Sequence, residues 1–370
     1  MPRSLARFRH WRVGAFRICL SPLTAAEGIG SRPANLDGSG SRPSDRASRS
    51  SPLALCGATP LLDGCTMIDG VLTLIAATDG EALIETAIAA VRDELARVGA
   101  RVGQADWLAP RKACDLFFAD VALHDAGART RRIIAERFPG ASLDFVVQQA
   151  VDRRKRLVVA DLESTLIENE MLDELADFIG VRDKVAEITR QAMNGEIDFV
   201  TALKTRVALF KDLPETALGE AAAGIRLMPG ASVFVATSHA HGAYVALATG
   251  GFSVFARYVQ TRLEFDAVLA NELVVDGGRL TGEVREPILT REGKRDALIS
   301  LAAERDIPLR LTLAVGDGAN DLPMLEAAGL GVAFHAKPSV AERSTHRLDY
   351  CDLTALLYAQ GYRAAEFAAA

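Results

Sequence analysis

The stretch VVADLESTLIENE, residues 158–170, runs apolar as far as Ala160 and then turns acidic, with Asp161, Glu163 and Glu170 in quick succession. Such acids either favour the start of a helix, where the macrodipole welcomes negative charge, or hold a metal and attack a substrate. The rest of the chain bears on the choice. GDGANDLPML, residues 316–325, places Asp317 and Asp321 one helical turn apart. ATGGF contributes Thr249, and TREGK contributes Lys294. If LVVA, AYVALA and LTLAVG are strands of one parallel sheet, Asp161, Thr249 and Asp317 all lie at carboxyl ends, where open parallel sheets collect ligands. Asp321, opening the next helix, faces the same rim. Three carboxylates, a hydroxyl and an amine suit Mg²⁺ and a phosphate, because magnesium combines a few carboxylates with waters and phosphate oxygens.

Strands and helices alternate around these residues. After LVVAD comes a long helical stretch, about 171–226, without strand character. AYVALAT is the next strand, followed by a helix from about Ser253, a hairpin in NELVVDGGRLTGEV, and a helix from Arg291. LRLTLAVGD and LGVAF are strands separated by a helix. The expected fold is α/β, a Rossmann-like, mostly parallel sheet with helices on both faces. The stretch from Met171 is too long for one crossover and reads as an inserted helical cap. The hairpin at about 271–284, turning at Asp276-Gly277-Gly278, is a second candidate flap over the site.

Residues 67–150 have another rhythm. VLTLIAA reads as a strand and EALIETAIAAVRDELARVGA as an amphipathic helix closed by Gly99. GQADWL and ACDLFFADV are strands, ARTRRIIAERF is a helix, and SLDFVVQQ is a last strand. The order βαββαβ suits a small ferredoxin-like domain. In element order it resembles a degenerate ACT module, the amino-acid-binding unit joined to amino-acid enzymes; a structural or dimerising domain is the alternative, and a homodimer is expected. VDRRKR, residues 151–156, reads as a charged, solvated hinge before a third segment at 151–370.

Residues 1–66 are rich in Ser, Arg, Pro and Gly, and are expected to be disordered. MPRSLARFRHWRVGAFRICL carries arginines and no acid, like an organelle presequence. The Arg/Ser character continues too far for one, so a start at Met67, with the tail lying upstream of it, is the preferred expectation.

Bulk properties narrow the function. The net charge of −6 over 370 residues argues against general nucleic-acid binding, which needs a basic face. No apolar run approaches the length of about 18 residues that a membrane span requires. Cys19, Cys56, Cys65, Cys114 and Cys351 are scattered and lack CxxC spacing, so neither a disulfide framework nor a zinc site is indicated. A cytoplasmic location fits.

DLEST, ATGGF, GK and VGDGANDLPML, in this order, resemble the four motifs of the haloacid dehalogenase superfamily. STLIENEMLDELADFIG, MNGEIDF, KTRVALFKDLP and EPILTREGK narrow the resemblance to bacterial phosphoserine phosphatases, over residues 157–345. The resemblance implies hydrolysis of O-phospho-L-serine, with Asp161 as nucleophile and Glu163 as general acid and base. It implies Mg²⁺ held by Asp161, the Glu163 backbone carbonyl and Asp317, with Asp321 supporting. Thr249, the Gly250 amide and Lys294 would hold phosphoryl oxygens. Glu170 would meet the substrate ammonium and Arg206 its carboxylate, while Met193 and Phe199 would help to exclude water and Asn320 would stand near substrate and metal.

Each residue has an ordinary alternative: Glu170 as a helix-start acid, Arg206 and Lys294 as surface charges, Thr249 as a strand end, Met193 and Phe199 as core. His239 and His241, in ATSHAHGAY, lie away from the rim and are expected to be structural, and His335 to be a loop residue. Two positions depart from the family pattern, which has Asp at position 163 and more often Ser at 249. An added methylene moves a carboxyl by about 1 Å, a displacement that can cost about a hundredfold in rate. A related phosphotransferase, moving phosphate from phosphoserine to homoserine, reads DLEG at this motif, so transfer is the second expectation. A serine sensor without catalysis is a third.

Overall fold

The computed structural model describes residues 10–13, 16–20, 69–193 and 196–369, and side chains from residue 69 onward apart from Met193. Two short strands, β1 (His10–Val13) and β2 (Phe16–Leu20), pair with each other, and β2 lies along one edge of the main sheet. The remainder of the expected tail lies outside the described residues.

From residue 69 the elements run β3 (Gly70–Ala76), α1 (Ile84–Arg97), β4 (Arg101–Ala109), β5 (Ala113–Ala119), α2 (Leu123–Arg137) and β6 (Leu143–Gln149). The strands pair antiparallel in the order β6-β3-β5-β4. β3, buried along its whole length, is central, as a sequence apolar but for Thr73, which donates to Asp115 at 2.7 Å, allows. Ile84, Ala87, Ile88, Val91 and Leu95 recur at helical spacing on α1 and are all buried against this sheet.

The larger body begins at β7 (Leu157–Ala160). Four helices follow: α3 (Met171–Phe178), α4 (Arg182–Met193), α5 (Phe199–Ala208) and α6 (Thr216–Ala223). The chain then runs through α7 (Ala231–Ala240), β8 (Tyr244–Phe252), α8 (Ser253–Leu263), β9 (Ala267–Asn271), β10 (Leu273–Asp276), β11 (Arg279–Val284) and α9 (Arg291–Glu304). It ends with β12 (Thr312–Gly316), α10 (Leu322–Ala327), β13 (Leu330–Phe334), α11 (Pro338–Ala341), β14 (His346–Leu348) and α12 (Ala355–Ala359). The strands β9-β8-β7-β12-β13-β14 are parallel throughout. β7 and β12 are wholly buried, which their runs of Leu, Val and Ala allow, and apolar clusters pack on both faces. β10 and β11 form the expected hairpin, whose turn glycines Gly277 and Gly278 take φ +55° and +75°.

Three features differ from expectation. The Ala267–Asn271 strand went unread: five residues between a helix and a hairpin give little periodic signal, yet they pair with β8. β8 continues past Thr249 to Phe252, with a register irregularity between Ala248 and Phe252. The two bodies also share one sheet, since β14 pairs with β13 on one side and with β6, through Arg347 and Phe145, on the other.

The VDRRKR segment is a fastened joint, not a solvated hinge. Arg153 donates from both terminal nitrogens to the buried Asp115, at 2.7 and 3.0 Å, and reaches the Ala359 carbonyl at 3.3 Å. Lys155, 6% exposed, donates to the carbonyls of Asp152 and Arg310. Asp144, on β6, accepts the amides of Asp349, Tyr350 and Cys351. Charge in a linker sequence does not distinguish solvated side chains from buried ones that also have partners 38 and 155 residues away, as Arg153 has in Asp115 and Lys155 in Arg310. Among the described residues no helix is long and apolar enough to cross a membrane.

Candidate active site

The carboxyl ends of β7, β8 and β12 bring the rim residues together. Asp161 follows β7, and its amide still donates to the Val315 carbonyl of β12 at 3.0 Å. Asp317 follows β12, and Asp321 stands at the start of α10, where it accepts the Gly318 amide at 3.0 Å. Oxygens of Asp161, Asp317 and Asp321 all lie within 4.8 Å of one another. Lys294, in the second turn of α9 and 1% exposed, sets its ammonium 2.7 Å from Asp161 Oδ1 and 2.7 Å from Asp321 Oδ1.

The electrostatics follow from burial and crowding. Burial first, and the neighbouring Asp321 next, hold the Asp161 carboxyl well above the usual range, against the pull of Lys294. Asp317 is pushed up to about 6 by the same two causes. Burial works against the Lys294 ammonium, but Asp161 and Asp321 outweigh it and raise its pKa. Three carboxylates meet one ammonium, and the surplus negative charge fits a divalent cation held by oxygen donors.

Beside the acids, Thr249 is buried at the head of the Thr-Gly-Gly segment, and its Oγ1 accepts the Gly251 amide at 2.9 Å. A Cβ on Gly251 would stand 2.9 Å from Glu163 Oε2 and 3.2 Å from Thr249 Oγ1, so close approach demands glycine there. Glu163 Oε1 accepts the Met171 amide at 2.9 Å, so this carboxyl spans the gap between the cradle and the first turn of α3. Burial, followed by the nearby Glu170, pushes Glu163 up to about 7. The two rival readings of the acidic stretch therefore meet in one side chain, a helix-start acid that also lines the rim.

The cap contributes the remaining candidates. Glu170 is exposed just ahead of α3 and accepts from Ser164 Oγ at 2.8 Å. Arg206, half-buried on α5, donates to the Ala202 carbonyl at 3.3 Å and to Thr189 Oγ1 at 3.5 Å. Burial lowers its pKa, while Glu163, Asp173 and Glu170 act in the other direction. Among the described residues Arg206 has no ion-pair partner, and the cap acids Asp173 and Glu168 pair with Arg182 and Arg226 instead. The Phe199 ring reaches over the cradle, 3.5 Å from where a Gly250 Cβ would stand. Asn320 is half-buried, its Oδ1 held over Gly318. Met193 ends α4, and its side chain lies outside the described residues.

His239 bonds Asp266 at 3.1 Å and His241 approaches the Glu366 carbonyl at 3.3 Å, both apart from this rim, while His335, just past β13, approaches the Cys351 carbonyl at 2.9 Å. One cation near the acids went unread. Lys337 donates its amide to the Asp317 carbonyl at 3.4 Å, and its charge opposes the rise of the Asp317 pKa. The signal was the short distance from LGVAF, whose carboxyl end lies on the same rim.

A parallel sheet with an acidic carboxyl rim and a helical insert after its first core strand defines the class, and the sequence profile of haloacid dehalogenase-like hydrolases matches residues 158–326. The phosphoserine phosphatase of Vibrio cholerae serotype O1 is 42% identical over 227 residues, which are 59% of this chain and 69% of that one. The structure of a probable phosphoserine phosphatase from Vibrio cholerae superposes with a TM-score of 0.64 at 32% identity, over 80% of this chain and 88% of that one. A phospho-aspartyl intermediate analogue of phosphoserine phosphatase superposes with a TM-score of 0.52 at 38% identity, over 55% and 98%. The chain belongs to the phosphoserine phosphatase family of haloacid dehalogenase-like hydrolases, and so to the phosphoric monoester hydrolases.

Proposed function

We propose that the enzyme hydrolyses O-phospho-L-serine to L-serine and phosphate, the last step of serine synthesis, through an aspartyl-phosphate on Asp161. The observation that carries this is the rim itself: a buried carboxyl at the end of the first core strand, bridged by Lys294 to a second carboxyl, with the Arg206 charge on the cap close enough to act on Glu163. The intermediate analogue among the relatives belongs to the same chemistry.

In the first half-reaction an Asp161 oxygen attacks phosphorus, the P–O bond to serine breaks, and Glu163 protonates the departing oxygen. A carboxyl pushed up to about 7 carries that proton near neutral pH. In the second half-reaction Glu163 takes a proton from water, the water oxygen bonds phosphorus, and the Asp161–phosphorus bond breaks. The Thr249 hydroxyl, the Gly250 amide and the Lys294 ammonium hold the phosphoryl oxygens as their charge changes. Glu170 meets the substrate ammonium and Arg206 its carboxylate, Asn320 stands beside substrate and metal, and Phe199 and Met193 keep water out. Asp161, the Glu163 carbonyl and Asp317, with Asp321 in support, would hold Mg²⁺, which supplies the positive charge that keeps crowded carboxylates ionised beside an anionic phosphate.

Purified protein with Mg²⁺ should release phosphate from O-phospho-L-serine; no release from intact protein contradicts the proposal. Glu163, which departs from the motif that the sequence resembles, favours a second reading, transfer to homoserine. Product analysis with homoserine present separates the two: free phosphate and serine support hydrolysis, and phosphohomoserine supports transfer.

A further inference from the structure

We infer that Asn271 is a positioning residue for phosphoryl transfer, holding the Thr249-Gly250-Gly251 cradle in register with Lys294. It is the last residue of β9, 2% exposed, and its side-chain amide is used at both ends. Nδ2 donates to the Gly250 carbonyl at 2.7 Å, and Oδ1 accepts the Leu289 amide at 2.7 Å. Leu289 immediately precedes Thr290, which caps α9 by accepting the Gly293 amide, and Lys294 follows. One planar group therefore sets the spacing between the two segments that present phosphate donors.

The bond to Gly250 also fixes an orientation. Two successive glycines leave their shared peptide free to rotate, and a rotated peptide would turn a carbonyl oxygen toward an anionic substrate. Asn271 holds that carbonyl, while Thr249 Oγ1 holds the N–H of the same peptide at 2.9 Å. With its lone pair so engaged, the Thr249 hydroxyl keeps its proton for a phosphoryl oxygen. Only a side chain with a donor and an acceptor in one plane satisfies both partners. An isosteric carboxylate would still accept from Leu289 but would face the Gly250 carbonyl with a second acceptor.

The inference rests on the phosphatase reading, so its test uses two substrates, O-phospho-L-serine and p-nitrophenyl phosphate. For Asn271→Asp, kcat/KM should fall about a hundredfold with either substrate, as a displacement of about 1 Å at a reacting group does. The inhibition constant for inorganic phosphate should rise at least tenfold, while that for L-serine stays within twofold. Asn271→Ser, small and neutral, reports in the same way if the Asp variant does not fold. A kcat/KM within threefold of wild type overturns the inference, as do equal losses of phosphate and serine affinity. Failure of both variants to fold also overturns it, by making Asn271 a structural residue. Wild-type protein that cleaves p-nitrophenyl phosphate but not phosphoserine contradicts the substrate proposal and leaves this test intact.

Discussion

Lys294 and Asp161 meet at 2.7 Å in a buried pocket, on side chains 133 residues apart in the chain. The same ammonium reaches Asp321 at 2.7 Å, so a single cation ties the proposed nucleophile to a second carboxylate. Lys294→Met should lower kcat by at least about a hundredfold, the effect of removing one preorganised donor from a transition state. Stability should fall as well, by about 3–5 kcal/mol, because two buried carboxylates lose their partner. Steady-state kinetics and denaturant titration on one preparation check both halves.

The raised Glu163 carboxyl links activity and stability to pH. Its pKa moves from the ordinary 4.5 up to about 7 in the folded chain. Between these values the folded protein keeps a proton that the unfolded chain has released, so stability falls as pH rises through this window and levels off above it. Glu163→Gln should lack this component of the slope. Denaturation midpoints of metal-free wild type and variant, measured from pH 4 to 8, should therefore diverge steadily and then run parallel. In the wild type the step that needs a protonated Glu163 should slow above about pH 7.

Shortening the same residue tests the departure from the family pattern. Glu163→Asp should keep or raise turnover on phosphoserine, because a carboxyl remains at the rim and regains the shorter reach. An abolished rate would mean that the longer acid, bonded to the Met171 amide, is required.

Substrate recognition separates from chemistry at Arg206. Arg206→Ala should raise KM for O-phospho-L-serine about 10- to 100-fold, the worth of a charge-assisted bond to a carboxylate. Hydrolysis of p-nitrophenyl phosphate, which offers no carboxylate, should change less than threefold. Equal losses on both substrates would move Arg206 from recognition into folding or catalysis.

Much of the rim was readable because strand ends and motif spacing are local. The apolar runs before Asp161 and Asp317 specify buried parallel strands, and burial forces whatever follows them onto one edge. What escaped depends on distant partners. Arg153 and Lys155 look like solvated charges until Asp115 and the Arg310 carbonyl come beside them. Asn271 reads as the first residue of a hairpin, and only the fold shows its amide between Gly250 and Leu289. The proposed pairing of Glu170 with Arg206 is likewise a matter of a shared ligand, since the two side chains make no bond to each other among the described residues.

The central proposal is that phosphorus is bonded, for part of each cycle, to the side chain of Asp161. Rapid acid quench during turnover of O-phospho-L-serine with Mg²⁺, followed by peptide mass analysis, tests it most directly. The peptide containing Asp161 should carry one phosphoryl group, absent from Asp161→Asn and from chelated enzyme. Full turnover with that peptide unmodified, or undiminished turnover by Asp161→Asn, would contradict it.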